Sequence, residues 1–435
     1  MTISVARASS RTFASLTRHR NYRLYFAGQV ISLIGTWMQN VAQAWFIIVL
    51  THGSAFAVGA LALCQFGPYA LLGLFGGTMA DRLDARRTLL LTQSASLLVA
   101  AALATLALSH GAQVWEVFVL AAVSGLILVL DTPVRQAFTI QMVGRPELPN
   151  AIALNSSLFN ASRIVGPALA GLLIATVGVG VCFLLNAVSY LAVLGALLLM
   201  RDSELYPINR GSERPALLRG VGEGLVYAWR TPTARLVLLL MLVISTLAIN
   251  FNVLLPVLAA HTLRSGPEVF GILSASFGVG ALGGALTSAS LSRASLTALL
   301  GGGTGFGASL LLLAPQRTVW AACAVLVLTG FSFSLYASQS NSSLQMAVPD
   351  RLRGRVLSLY GYVFFGTAPL GGVLAGWMTG RYGTEAYLFV VGGVSVVAAL
   401  AGVAALRARG AEAPEAATPA GIGGCADAST VAVRE

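Results

Sequence analysis

RDSELYPINRGSERPALLRGVGEGLVYAWRTPTAR, residues 201–235, is the longest polar connection inside this 435-residue chain, and what flanks it decides the fold. Before it lie six apolar segments: Tyr22–Leu50, Ala55–Ala80, Thr88–Leu108, Val114–Leu130, Ala151–Val177 and Val179–Met200. After it lie six more: Leu236–Leu258, Val269–Leu291, Leu296–Leu313, Val319–Ala337, Val356–Thr379 and Ala386–Leu406. Each approaches or exceeds the roughly 20 apolar residues that carry a helix across a bilayer core. The expected architecture is an all-α membrane protein, with twelve transmembrane helices in two six-helix, pseudo-symmetric bundles.

The arginines fix the orientation. All 27 basic residues are Arg, and the central connection alone holds six. With the N-terminus in the cytoplasm, the cytoplasmic segments hold 23, whereas the opposite face holds Arg264, Arg317 and Arg381. Arg163 lies inside a segment. This is the positive-inside pattern of a multi-pass protein of the cell membrane with both termini cytoplasmic. Hydrophobic residues make up 56% and charged residues 10%, against about 25% charged in soluble domains. The net charge of +11 therefore points to anionic lipid headgroups rather than nucleic acid. The first apolar segment is too long for a signal-peptide core and reads as an uncleaved helix.

Several chemistries find no support. Cys64, Cys182, Cys323 and Cys425 are isolated, so neither a metal site nor a disulfide framework is expected. A chain without Lys holds no Walker phosphate loop. His19, His52, His110 and His261 lie at segment ends or in loops, and no nucleophile–base set accompanies them. No enzyme activity, metal or cofactor is expected.

The organisation follows: a cytoplasmic lead over 1–21, an N-terminal bundle over 22–200, the central loop over 201–235, a C-terminal bundle over 236–406 and a disordered tail over 407–435. Within the loop, residues 216–229 have the pattern of an amphipathic surface helix. The two bundles repeat weakly. Gln141-Met142 and Leu148 match Gln345-Met346 and Leu352 at an offset of 204, and Ala170-Gly171 matches Ala375-Gly376 at 205. Internal repeats of this kind mark transporters built from related halves.

Polar side chains inside lipid must face protein or a water-filled cavity. In the first segment Gln29, Ser32, Thr36, Asn40 and Gln43 recur at spacings of 3, 4, 4 and 3 and share one helical face. They line a substrate path or bond neighbouring helices. Ser156, Asn160, Arg163 and Pro167 make a similar face in the fifth segment. Arg163 sits near mid-membrane, where an unpaired charge costs at least about 2.5 kcal/mol; it is expected to pair with an acid such as Glu116 or Asp131, or to serve transport. Gly166, Pro167 and Gly171, matched by Pro369, Gly371, Gly372 and Gly376, allow close helix approach and kinking, for static packing or for rocking bundles. Ser245, Asn250, Asn252 and Pro256 give the seventh segment a polar side, and Tyr336, Tyr360 and Tyr362 offer rings for an amphipathic ligand or anchors at the interface.

Between the second and third segments the chain reads G-T-M-A-D-R-L-D-A-R-R, from Gly77 to Arg87. A charged cluster at a helix junction can hold one conformation and release it when bundles move. The stretch resembles the signature loop of the major facilitator superfamily, G-x-x-x-D-R-x-G-R-R. It keeps Gly77, Asp81, Arg82, Arg86 and Arg87 and places Asp84 where Gly is usual. The opening RNYRLYFAGQVISLIGTWMQNVAQAWFIIVLTHGSAFAVG, Asp131-x-Pro133-x-Arg135, Asn150-Ala151, Asn155 and Arg163-x-x-Gly166-Pro167 are similar to the exporter branch that includes macrolide-efflux and enterobactin-export proteins.

The resemblance implies alternating access between two bundles and export of small molecules in exchange for protons, with the loop as a conformational gate. Proton coupling needs a titratable group in the path. Of the 16 acidic residues only Glu116 and Asp131 touch helices away from clear loops; a carrier needs a carboxylate that binds a proton readily, as one in a low-dielectric site does, and Asp131 is preferred for its closeness to the motif loop and to an Arg. The expected partners are a small amphipathic substrate (drug, siderophore or secondary metabolite), protons and lipids, with the chain acting as a monomer. The competing expectation is a facilitator importing a sugar or organic anion; it is disfavoured because Arg163 is the sole cavity cation.

Overall fold

Backbone in hydrocarbon must satisfy its own hydrogen bonds, and the chain does so with helices. The computed structural model describes residues 14–80, 82–109, 111–207, 217–248, 250–291 and 294–412. In chain order the helices are α1 (Ala14–Arg18), α2 (Arg20–Leu50), α3 (Ala55–Ala80), α4 (Ala85–Leu108), α5 (Val114–Val177), α6 (Val179–Leu198) and α7 (Leu217–Arg230). There follow α8 (Pro232–Ala248), α9 (Phe251–Val257), α10 (Pro267–Ser290), α11 (Leu296–Leu313), α12 (Val319–Ala347), α13 (Asp350–Gly366) and α14 (Ala368–Glu412). Short 3₁₀ and π turns lie at Asp202–Glu204 and Leu258–Thr262.

Among the described residues ten helical stretches are long and apolar enough to cross a bilayer. Two of them are too long for one crossing. The 64 residues of α5 would extend about 96 Å, three times the roughly 30 Å core. The chain turns inside α5 at Gly144 (φ +69°) and inside α14 at Gly383 (φ +87°), a backbone region that glycine enters without penalty. Split at these points, ten stretches make twelve passes. Leu71 and Leu91, 78% and 70% exposed, belong to the apolar outer surface that lipid covers.

Side-chain bonds gather the Arg-rich connections on one face. The Asn150 side chain accepts from the Ser15 amide (3.1 Å), Asn21 donates to the Arg201 carbonyl (2.8 Å), and the Tyr206 amide donates to the Gln141 carbonyl (2.8 Å). Arg18 pairs with Glu147. The start of α2, the turn within α5 and the end of α6 are thereby tied together. On the opposite face Arg317 pairs with Glu385, joining the α11–α12 connection to the turn within α14.

The two halves meet along two seams. Along α5 and α10, a Cβ built on Gly171 would lie 2.9 Å from Gly271 Cα, and one built on Gly271 would lie 2.7 Å from Gly171 Cα. Along α3 and α14, a Cβ on Gly376 would lie 3.1 Å from Gly59 Cα. Both contacts lie toward the Arg-poor face, near the chain reversals at 51–55 and 263–267. In the other direction the α5 seam continues at half-buried Asn160 and exposed Ser156 and Ala153, and the α10 seam at Leu282, Ala285 and Ala289, exposed or half-buried. Toward the Arg-poor face the halves are in close contact; toward the Arg-rich face these positions of α5 and α10 are exposed or half-buried, while Tyr362 of α13 still reaches the Ala70 carbonyl of α3.

Several boundaries differ from expectation. The fourth segment runs past Leu130 to Gly144, because polar residues 131–143 are sheltered by neighbouring helices instead of forming a loop. The seventh is broken: Asn250 (φ −94°, ψ 47°) turns its side chain onto the Thr246 carbonyl (2.9 Å). The eleventh is interrupted at Thr367. The freed polar groups find partners, as lipid requires: Ser245 donates to the Phe364 carbonyl (2.9 Å) and Tyr387 to the Leu247 carbonyl (2.6 Å). The helix expected over 216–229 is α7; its Tyr227 donates to the Ala347 carbonyl (3.0 Å), Glu223 pairs with Arg355, and Leu225 and Trp229 are exposed. Helix α14 continues to Glu412, so residues 407–412 are helical, and the remainder of the expected tail lies outside the described residues.

Candidate functional site

The helix extension places a charge pair inside the N-terminal bundle. Asp131 and Arg135 stand one turn apart on α5, with side chains 10% and 29% exposed. Asp131 Oδ1 accepts from Thr92 Oγ1 (2.8 Å) and Gln93 Nε2 (2.7 Å) of α4. Its Oδ2 accepts from Arg135 Nε (3.0 Å) and Nη2, and Arg135 Nη1 donates to Gln29 Oε1 of α2. Among the described residues the buried Gln29 amide nitrogen has no hydrogen-bond partner. The carboxylate thus joins α5 to α4, and Arg135 carries the network on to α2. Arg135 belongs to this cluster, although its position beyond the apolar run suggested a topological loop residue. Opposite charges four apart were the available signal, masked by the polar residues around them.

Among the described residues Arg163 has no acidic partner; Asp131 is taken by Arg135, and Glu116 caps the start of α5, accepting from the Gln113 amide (2.7 Å). Three rings surround the guanidinium instead. Its Cζ is 4.8 Å from the Phe277 ring of α10, 5.7 Å from Trp37 of α2 and 5.8 Å from Phe333 of α12. Each such contact stabilises a cation by about 0.5–2 kcal/mol, enough together to offset much of the cost of placing it there. Phe277 and Phe333 continue into a ring cluster with Phe251, Phe306 and Phe364. This aromatic floor lies where the α5–α10 seam closes: a Cβ on Gly278 would meet the Arg163 carbonyl at 3.2 Å.

The polar stripe of α2 faces three different neighbours. Gln29 reaches Arg135, Thr36 lies 3.4 Å from the Tyr190 hydroxyl, and Asn40 accepts from Gln65 (3.2 Å). Gln43 is 2% exposed, with its amide nitrogen unpartnered. Asn40, Gln65 and Asn252 border a void of about 10 Å³, about the size of one water molecule. Asn160 donates to the Ser156 carbonyl (2.9 Å), and Tyr362 donates to the Ala70 carbonyl across the α3–α13 seam (2.6 Å). Tyr336 is fully enclosed, packed against Gly302 and Gly303. Gly166 lies against Trp37 and Ile34 of α2, whereas Gly171, with the Pro167 carbonyl, lies against α10.

In the 77–87 stretch, Gly77 falls in the last turns of α3, and Asp81 lies outside the described residues. Arg82 and Arg87 are exposed. Arg86 closes the end of α6: Nε donates to the Leu197 carbonyl (2.9 Å), Nη2 to that of Leu198 (3.3 Å), and Nη1 pairs with Asp202. Asp84 caps α4 by accepting from the Arg87 amide (2.8 Å), which gives the departure from Gly a physical role.

Residues 10–420 match the family model described as transmembrane secretion effector, a major facilitator family. The multidrug efflux pump Tap of Mycolicibacterium fortuitum is 30% identical over 365 residues, covering 81% of this chain and 87% of the pump. The enterobactin exporter EntS of Shigella boydii is 28% identical over 350 residues, covering 79% and 82%. Among solved structures, a POT family transporter in complex with 5-aminolevulinic acid superposes with a TM-score of 0.72 at 13% identity, covering 89% of this chain and 96% of that one.

Proposed function

This chain belongs to the transmembrane secretion effector family of the major facilitator superfamily, and on that footing we propose that it exports small amphipathic molecules, drugs or siderophores among them, in exchange for protons. The observation that carries the coupling is the Asp131–Arg135 pair, a carboxylate buried between α4 and α5 beside a mobile-capable cation. In the state described, Asp131 pairs with Arg135. As the cycle proceeds, the Arg135 side chain turns onto Gln29 alone and Asp131 takes a proton from the opposite side. Returning to the first state, the arginine displaces that proton inward as cargo has left outward.

Orientation follows the arginines: both termini and the 201–235 connection are cytoplasmic, and the sealed α5–α10 and α3–α14 seams face outward. The chain acts as a monomer with lipid as its only structural partner. In everted membrane vesicles, an acid-inside gradient is expected to drive accumulation of a fluorescent amphipathic dye, and collapsing the gradient to release it. Absence of gradient-driven accumulation across a broad panel, together with uptake into right-side-out vesicles, would replace export with facilitated import.

A further inference from the structure

Arg163 is a cation held by rings alone. Among the described residues no carboxylate, carbonyl or hydroxyl accepts from its guanidinium; its neighbours are the faces of Trp37, Phe277 and Phe333. Rings stabilise the charge but accept none of the five N–H donors in the usual in-plane fashion. Those donors are not sealed away either: Arg163 is half-buried, and its nitrogens are absent from the buried, unpartnered polar atoms. From Arg163, half-buried Asn160 and then exposed Ser156 lead along α5 toward the Arg-rich face. It also bridges the bundles, since Trp37 comes from the N-terminal half and Phe277 and Phe333 from the C-terminal half.

We propose that this arginine and its three rings recognise the anionic head of the cargo, an organic carboxylate borne on an aromatic or apolar body. A guanidinium takes a carboxylate through two parallel hydrogen bonds, and rings already arranged around it supply faces for the attached body. Binding contributes contacts from both halves at once, so cargo helps draw them together. Cationic amphiphiles are disfavoured by the fixed positive charge. The inference rests on the export reading for its biological sense, but recognition by charge does not depend on transport direction.

The test is equilibrium binding to the purified full chain in lipid nanodiscs at pH 7, with three matched probes: 2-naphthoate, its methyl ester and 2-naphthylmethylammonium. Wild type is expected to bind the acid about tenfold or more tightly than the ester, the range a charge-assisted hydrogen bond supplies, and the amine more weakly than either. Arg163→Gln should erase the acid preference while leaving ester binding in place; Arg163→Lys should retain part of it, and Phe277→Leu should weaken acid and ester alike. Equal binding of acid and ester to wild type, no binding of any probe, or an acid preference that survives Arg163→Gln overturns the assignment. Lost gradient-driven export with intact acid preference would count against the exporter, not against this site.

Discussion

Removing one member of the Asp131–Arg135 pair and then both separates a structural ion pair from a proton carrier. With side chains 10% and 29% exposed, the pair lies between the surface and deep-interior limits. At an effective dielectric near 20 the attraction is about 4 kcal/mol at 4 Å, and leaving one buried charge uncompensated costs about 3–5 kcal/mol. Asp131→Asn keeps the shape and still accepts from Thr92 but strands the guanidinium; Arg135→Gln strands the carboxylate. Each single variant should therefore lose about 3–5 kcal/mol of stability in a denaturant titration in nanodiscs. The double variant should recover most of it, because two neutral amides of similar volume need no compensation. Transport then gives the second axis. The double variant, though folded, should equilibrate cargo across everted vesicles and support exchange while failing to concentrate it against a gradient when the lumen is acidified. Gradient-driven accumulation by the double variant would remove Asp131 from the coupling path. Single-variant losses below about 1 kcal/mol would show that the two groups do not depend on each other.

Two further perturbations address the moving parts. Gly171→Leu inserts a side chain where a bare Cβ already lies 2.9 Å from Gly271 Cα; overpacking of this kind costs about 1–3 kcal/mol, which should populate the outward-open state about ten- to a hundred-fold more. Spin labels at Thr176 and Ser265 should report a longer distance, and an unchanged distribution would mean that the seam is not a gate. Arg86→Ala removes two donated hydrogen bonds to the carbonyls at the end of α6 and the pairing with Asp202, so turnover should fall with little change in cargo affinity, more than in Arg87→Ala, whose side chain is exposed. Equal rates in both variants would disconnect the 77–87 stretch from gating.

What could be read from the chain, and what could not, divides along one physical line. Which stretches are apolar enough to cross a bilayer is a property of each stretch against lipid, and hydropathy reports it directly. Side-chain partnerships depend on which helix lies opposite, and a helical face gives no such information. The α2 stripe illustrates this: one periodic face in sequence, it meets α3, α5 and α6 at successive turns. Arg163 illustrates it again, since an acid was sought nearby in sequence whereas its neighbours are rings from α2, α10 and α12. The boundary at Leu130 misled for a related reason. Burial against protein lets a helix carry Asp131, Arg135 and Gln141 where lipid exposure would not, so a fall in hydropathy marked protein contact rather than the end of the helix.

The internal repeat carries more than homology between halves. Ala170-Gly171 and Ala375-Gly376 are related by the offset of 205, and in three dimensions both lie on the seams. Gly171 of α5 touches α10 of the other half, and Gly376 of α14 touches α3 of the other half. A duplicated small-residue step thus yields two related contacts, both on the Arg-poor side. If the halves rock about that pair, neither seam can widen without the other being disturbed. Arg163 lies two turns from Gly171 on the same helix, about 12 Å along it, with Pro167 between them. On the proposed role of Arg163, cargo would therefore bind next to the contact that must yield, and that spacing would couple binding to opening.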